Sequence, residues 1–188
     1  MIFQVRENHK VIIEKYPFYK SLNKRLLEDA DVIDYPLSYQ TNVMAKCSDW
    51  RVVSENTLKI ESWILKLIER EHLWFLAGEH KLHFLDSFFV RYDEDEWTKP
   101  HDHIPSQWSW IYYIRCPKGS SPLIFPTSGK RIKPEEGQLV IFPACVTHWV
   151  PKNRCKDRVA LVGNIEMDMR LRTDSENDRV VEVNKNDI

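Results

Sequence analysis

Lys99-Pro100-His101-Asp102-His103-Ile104-Pro105 sets three metal-capable side chains in a row, and an apolar run from Trp108 to Ile114 follows it. A second histidine block, Phe142-Pro143-Ala144-Cys145-Val146-Thr147-His148-Trp149-Val150, lies further along, and Arg158 stands ten positions after His148. Side chains two apart on a strand point to one side. His101 and His103 can therefore aim at one point while Asp102 turns away, and a strand laid alongside can add His148. Two or three imidazoles with coordination positions left open suit a divalent transition metal. An arginine nearby can grip a carboxylate through two parallel hydrogen bonds.

On either side of these blocks the chain reads as short strands. Phe84, Asp86, Phe88, Val90 and Tyr92 alternate at period two, which predicts one strand with all five on one face. Further strands are expected at Ser109–Cys116, Pro122–Phe125, Gln138–Phe142, Thr147–Val150 and Arg158–Glu166, separated by connectors rich in Gly and Pro. Many short strands with such turns predict a sandwich or jelly roll. Ahead of them, Tyr19, Leu22 and Leu26 recur at helical spacing, with Pro17 as a first-turn residue. Ile60, Trp63, Ile64, Leu67 and Ile68 make a second helical stripe, started by Asn56 or Thr57 and stopped near Gly78, beyond Trp74-Phe75-Leu76. Ile2-Phe3 and Val11-Ile12-Ile13 are candidate edge strands, and Val180-Val181-Glu182-Val183 is either a last edge strand or frayed. Asp31 to Ser54 reads as loop, with Trp50 as a packing anchor. The expectation is a single domain over residues 1–188, with a helical part at about 15–80 and a jelly-roll core at about 83–170.

Composition narrows the classes. A chain of 188 residues with 43% hydrophobic and 29% charged residues suits one soluble domain with a real core. A net charge of −1 offers no footprint for duplex nucleic acid. No apolar run reaches membrane-spanning length, and Met1-Ile2-Phe3-Gln4-Val5-Arg6-Glu7 lacks a signal-peptide pattern, so a cytoplasmic location is expected. The four cysteines, Cys47, Cys116, Cys145 and Cys155, show neither zinc spacing nor a disulfide framework, which predicts reduced, buried thiols. Cys145, close to His148, reads as a small core residue rather than a nucleophile. Asp93-Glu94-Asp95-Glu96 reads as a solvated turn, because its carboxylates would splay rather than converge. His9, His72, His80 and His83 lack paired spacing and read as ordinary histidines.

From Tyr92 to Asn164 the chain resembles the 2-oxoglutarate- and iron(II)-dependent oxygenases, in particular a short prolyl-hydroxylase-like branch of bacterial and phage proteins. That branch reads His-x-His-Pro, Ser-Gly-Val-Tyr-Tyr, Phe-Pro, His-x-Val, Arg and a closing Asn. This chain reads His101-Asp102-His103-Ile104-Pro105, Ser109-Trp110-Ile111-Tyr112-Tyr113, Phe142-Pro143, His148-Trp149-Val150, Arg158 and Asn164. The likeness covers the middle and C-terminal half well and the N-terminal third loosely. It implies a mainly β fold with N-terminal helices, a double-stranded β-helix. It implies Fe(2+) held by His101, His103 and His148, and 2-oxoglutarate held by Arg158 with Tyr113 and Tyr92 as helpers. The implied partners are 2-oxoglutarate, O2 and an unidentified substrate, a protein residue such as proline or a small molecule.

Three departures from the wider superfamily stand out. His103 occupies the place usual for Asp or Glu, and Ala160 the place of a cosubstrate-binding Ser. Trp110 stands where the branch carries Gly, and it either lines the mouth or fills the core. At least two of Trp97, Trp108, Trp110 and Trp149 are expected in the core. Two other functional classes fit parts of the pattern: a cupin-like three-histidine dioxygenase without 2-oxoglutarate, against which Arg158 argues, and a silent jelly-roll binding protein.

Overall fold

In a computed structural model, which describes residues 8–39, 41–71 and 81–168, the chain forms two helices and eleven strands. Strand β1 (Ile12–Lys15) precedes α1 (Tyr19–Val32), followed by β2 (Val43–Met44), β3 (Lys46–Cys47) and α2 (Glu55–Arg70). The strand-rich part runs through β4 (Lys81–Tyr92), β5 (Trp97–His101), β6 (Trp108–Arg115), β7 (Leu123–Phe125), β8 (Lys130–Ile132), β9 (Gln138–Pro143), β10 (His148–Val150) and β11 (Arg158–Asp168). Ile2-Phe3, the stretch from Trp74 to Gly78, His72, His80 and Val180–Val183 lie outside the described residues.

The strands form a six-stranded sheet, β1-β9-β6-β11-β4-β3, and a five-stranded sheet, β2-β5-β10-β7-β8. From β4 onward the chain passes back and forth between the two, which winds them into a double-stranded β-helix. The larger sheet has a dry outer face. Leu22, Leu26 and Ala30 of α1, with Ile60, Ile64, Leu67 and Ile68 of α2, pack there on Trp110, Tyr112, Leu139, Ile141, Val159 and Leu161. Its inner face meets the smaller sheet through Ile111, Tyr113, Val140, Phe142 and Ala160 against Leu123, Phe125 and Val150.

The helices follow their apolar stripes, but their starts differ from expectation. Pro17 lies outside α1, whose N-cap is Phe18. Ser54, not Asn56 or Thr57, caps α2: its hydroxyl accepts the Asn56 and Thr57 N–H groups, and Thr57 Oγ1 accepts the Ser54 N–H at 2.9 Å. The Asp31–Ser54 stretch is not all loop, since β2 and β3 extend the sheet edges. β1 is the edge strand expected near Val11–Ile13.

β4 does not keep one face throughout. Asn164 pairs with Asp86 but Ile165 with Phe84, so Leu85 is an extra residue bulging from the ladder. Asp86, Phe88, Val90 and Tyr92 therefore face inward, while Phe84 turns to the helix side and meets Trp110 edge-on at 6.0 Å. Trp110 is 1% exposed and belongs to that outer core, away from the barrel mouth. It fits because Gly163 stands opposite it on β11; a Cβ there would lie 2.8 Å from the indole.

Two smaller expectations also change. Cys145 is exposed, at the tip of the turn before β10, and among the four free cysteines only Cys47 is fully buried. Glu96 is buried rather than solvated: it accepts the Asp93 N–H at 2.6 Å and the Tyr39 hydroxyl, which closes the turn into β5.

Candidate metal centre and anion pocket

The two histidine blocks meet because β5 and β10 pair antiparallel, with His148 directly opposite His101. His103 lies just past the end of β5, in the turn that leads to β6. Its N–H donates to Ala144 O at 2.8 Å, and its carbonyl accepts from Ser106 N at 2.9 Å. This turn, with a cis bond at Ile104-Pro105, folds the third imidazole back over the other two. The ring centroids lie 4.7 Å apart for His101 and His103, 4.4 Å for His101 and His148, and 5.2 Å for His103 and His148. One nitrogen from each ring falls within 4.8 Å of the others. Asp102 is exposed and turned away, accepting the Ile104 N–H at 3.3 Å.

The site favours neutral imidazoles. Burial, and then the neighbouring rings, push the His148 pKa down to about 3 and that of His103 to about 4; burial also lowers that of His101. His101 Nδ1 lies 2.7 Å from Lys99 O, and His148 Nδ1 lies 3.1 Å from Val146 O. Only an N–H can bond a carbonyl, so both rings carry the proton on Nδ1 and turn an Nε2 lone pair toward the cluster. Phe142, 4.7 Å from His148 ring to ring, closes the inner side. Three neutral, converging nitrogen donors fit a divalent transition metal.

Arg158 opens β11 on the inner face and is 1% exposed. Its guanidinium lies over the Tyr92 ring at 4.5 Å and the Tyr113 ring at 5.5 Å. The acids that could have neutralised it are engaged elsewhere. Asp157 pairs with Arg91 and Arg115, and Glu136 accepts the Cys116 N–H. Among the described residues, Arg158 Nε and Nη1 and Tyr113 Oη have no hydrogen-bond partner. Tyr92 Oη instead meets Thr98 Oγ1 of β5 at 2.6 Å and ties the two sheets together. A buried guanidinium with idle donors is costly unless an anion completes it. Arg158 and Tyr113 thus fit a carboxylate, and Ala160, being small and apolar, takes no part in the hydrogen bonding.

The strand patterns do not flag a third group, at the mouth. Asp86, Asn164 and Ser109 stand side by side on β4, β11 and β6. Asn164 donates from its backbone N–H and from Nδ2 to the Asp86 carboxylate at 2.7–3.1 Å, and Ser109 donates to Asn164 Oδ1 at 2.7 Å. Ser109 and Asn164 belong to the motif that carries the resemblance, whereas for Asp86 the sequence signal is a polar residue on an otherwise apolar inward face. A surface depression of about 610 Å³ by Lys15, Tyr19, Cys116 and Glu135 contains none of these residues.

No protein-family model matches the sequence, and no curated protein matches it. Solved structures do. The viral collagen prolyl hydroxylase of Paramecium bursaria Chlorella virus-1, in its 2OG complex, superposes with TM-score 0.62 at 14% identity, covering 81% of this chain and 94% of that one. A Pseudomonas putida prolyl-4-hydroxylase gives TM-score 0.62 at 16% identity over 84% and 92%. HygX from Streptomyces hygroscopicus, with nickel, 2-oxoglutarate and hygromycin B bound, gives 0.60 at 8% identity over 83% and 82%. The chain therefore has the double-stranded β-helix fold of these enzymes.

Proposed function

We propose that the protein is an Fe(II)- and 2-oxoglutarate-dependent dioxygenase that oxidises a substrate entering at the open end of the barrel. The observation that carries this reading is the pairing of two incomplete sites in one barrel: three neutral imidazoles, and a buried Arg158 with two guanidinium nitrogens idle among the described residues. A metal ion completes the first and a dicarboxylate the second. Fold neighbours that bind 2-oxoglutarate support the choice of dicarboxylate.

In this reading His101, His103 and His148 hold the iron, and Arg158 holds the far carboxylate of 2-oxoglutarate with Tyr113 donating beside it. Iron with 2-oxoglutarate supplies activation of O2 coupled to release of succinate and carbon dioxide. The protein's own part is binding, orientation and exclusion of water. Lys99 O and Val146 O fix the tautomers of His101 and His148. Phe142, Ile111, Val140 and Ala160 keep the inner space dry, which strengthens each charge contact within it. The Tyr92–Thr98 bond holds one tyrosine wall of the arginine slot in place.

The first guess at a substrate is a protein residue such as proline, since two of the fold neighbours are prolyl hydroxylases. The cupin-like reading without 2-oxoglutarate leaves the buried cation of Arg158 unexplained. The deciding experiment is anaerobic addition of Fe(II) and 2-oxoglutarate to reduced protein. The expected result is the visible charge-transfer band of a chelated keto acid, and slow succinate formation once air is admitted. A folded protein that binds iron but gives neither band nor succinate would refute the reading.

A further inference from the structure

Among the described residues, the inward-facing carboxylate of Asp86 has no counter-ion. Asp86 faces inward and is only half-buried. Among the described residues its polar partners are the backbone and side-chain amide groups of Asn164, and no ion pair involves it. Asn164 is 6% exposed and Ser109 3% exposed. The carboxylate is thus held by a buried amide, and no described cation faces it. Arg51, the nearest basic residue in sequence on the adjoining segment, reaches Phe84 O and acts on Glu61 of α2 on the other side of the sheet. The charge that does act on Asp86 is Glu166, which is of like sign and pairs with His83 at 3.3 Å.

An aromatic pair stands one inward position along the strand from Asp86. Trp50 O accepts the Ser87 N–H at 2.9 Å, which brings Trp50 to the residue after Asp86. Its ring meets Phe88 edge-on at 4.7 Å, and Phe88 follows Asp86 on the same inward face. Trp50 nevertheless stays 43% exposed. The position relative to the metal centre follows from the ladder. Ser109 pairs with both Asn164 and Phe142, and the Phe142 ring touches His148. The row Asp86, Asn164, Ser109 and Phe142 thus runs across four neighbouring strands and ends against His148.

We propose that Asp86 and Trp50 form a receptor for a positively charged group of the substrate, an ammonium or guanidinium. The carboxylate supplies a charge-assisted hydrogen bond and the indole face a cation–π contact. Calling the ligand a substrate rests on the oxygenase reading; the cation site itself does not. A proline ring alone would leave Asp86 unanswered, so a peptide substrate is expected to carry Lys or Arg beside the oxidised residue.

The test measures binding and turnover separately. Protein loaded with Zn(II) and 2-oxoglutarate is titrated with N-acetyl-lysine methylamide, N-acetyl-arginine methylamide and the neutral isostere N-acetyl-norleucine methylamide, followed by ligand-observed NMR. At least one cationic probe should bind on the order of tenfold more tightly than norleucine. Asp86→Asn and Trp50→Ala should each erase most of that preference. Because Asp86→Asn sets an amide against the Asn164 donor and can disturb the fold, Trp50→Ala, a change at an exposed position, stands as the independent variant, with melting temperature as its control. Equal binding of all three probes, or a preference unchanged in both variants, would overturn the proposal. Succinate formation by the iron-loaded wild type is read alongside. Its absence with cation preference intact would sink the oxygenase reading and leave the cation site standing.

Discussion

In the proposed reading His103 is the residue on which the chemistry turns, because it would take the place of a carboxylate that lowers the charge of the metal centre. The backbone settles which side chain is available: the turn after β5 brings His103 over the other two imidazoles and leaves Asp102 in solvent. His103→Ala is therefore expected to lose most of the bound metal, and Asp102→Ala to keep it, as read by metal content after dialysis against Fe(II) or Co(II). The opposite pattern would make the centre an ordinary pair of histidines with one carboxylate. Arg158 gives a second residue-level expectation. A desolvated, charge-assisted contact is worth roughly 1.5–3 kcal/mol. Arg158→Ala should weaken 2-oxoglutarate on the order of tenfold to a hundredfold while metal affinity barely changes. Calorimetric titration of both ligands into wild type and variant decides it, and an unchanged 2-oxoglutarate constant would remove Arg158 from the pocket.

At the scale of elements, β4 and β11 hold the molecule together, since Arg158, Ala160, Val162 and Asn164 line the interior while Val159, Leu161 and Ile165 face the helices. Gly163 sits where these strands come closest to Trp110. Gly163→Ala would press a methyl against Asp86 O and the indole ring at 2.8 Å. An overpacked core of this kind costs about 1–3 kcal/mol, so the urea midpoint should fall; an unchanged midpoint would mean the strands spread freely there. The same elements show where sequence is legible. The stripe of α2 follows plain helical periodicity, and the strands from Gln138 and Arg158 show as short continuous apolar runs, so they can be read directly. β5 cannot, because Trp97–His101 contains Lys99 and Pro100 and derives its strand state from β2 and β10 rather than from its own alternation. The bulge at Leu85 is likewise invisible, since alternation in sequence assumes an unbroken ladder. The alternation argument for His103 assumes a strand that the residue is not in: His103 lies past the end of β5, and a long-range bond to Ala144 O holds its backbone.

For the whole molecule, the crowding of three imidazoles couples the site to global stability through pH. In the unfolded chain each titrates near 6.5. In the folded chain burial, and for His103 and His148 also the neighbouring rings, hold them lower, at about 4 for His103 and about 3 for His148. A depressed folded pKa means that the unfolded state takes up the proton first. The stability these groups contribute is complete above the unfolded value and is lost as pH falls through the window from about 6.5 toward the folded values. Asp86 and Glu61 oppose this only in the more acidic range, because burial raises their carboxyl pKa and their contribution is lost as pH rises instead. The metal-free protein should therefore show a urea midpoint that is flat above pH 7 and declines between pH 6.5 and 4.5. Metal bound to the folded state adds stability by mass action, and protons compete with it for the same lone pairs. Curves taken with and without Co(II) should accordingly lie apart at pH 7.5 and converge as pH falls. Replacing His103 by Gln should flatten the metal-free curve, because one displaced titration disappears. A metal-free midpoint that stays level down to pH 5, or a Co(II) gap that does not narrow, would show that the imidazoles are not held neutral by the fold.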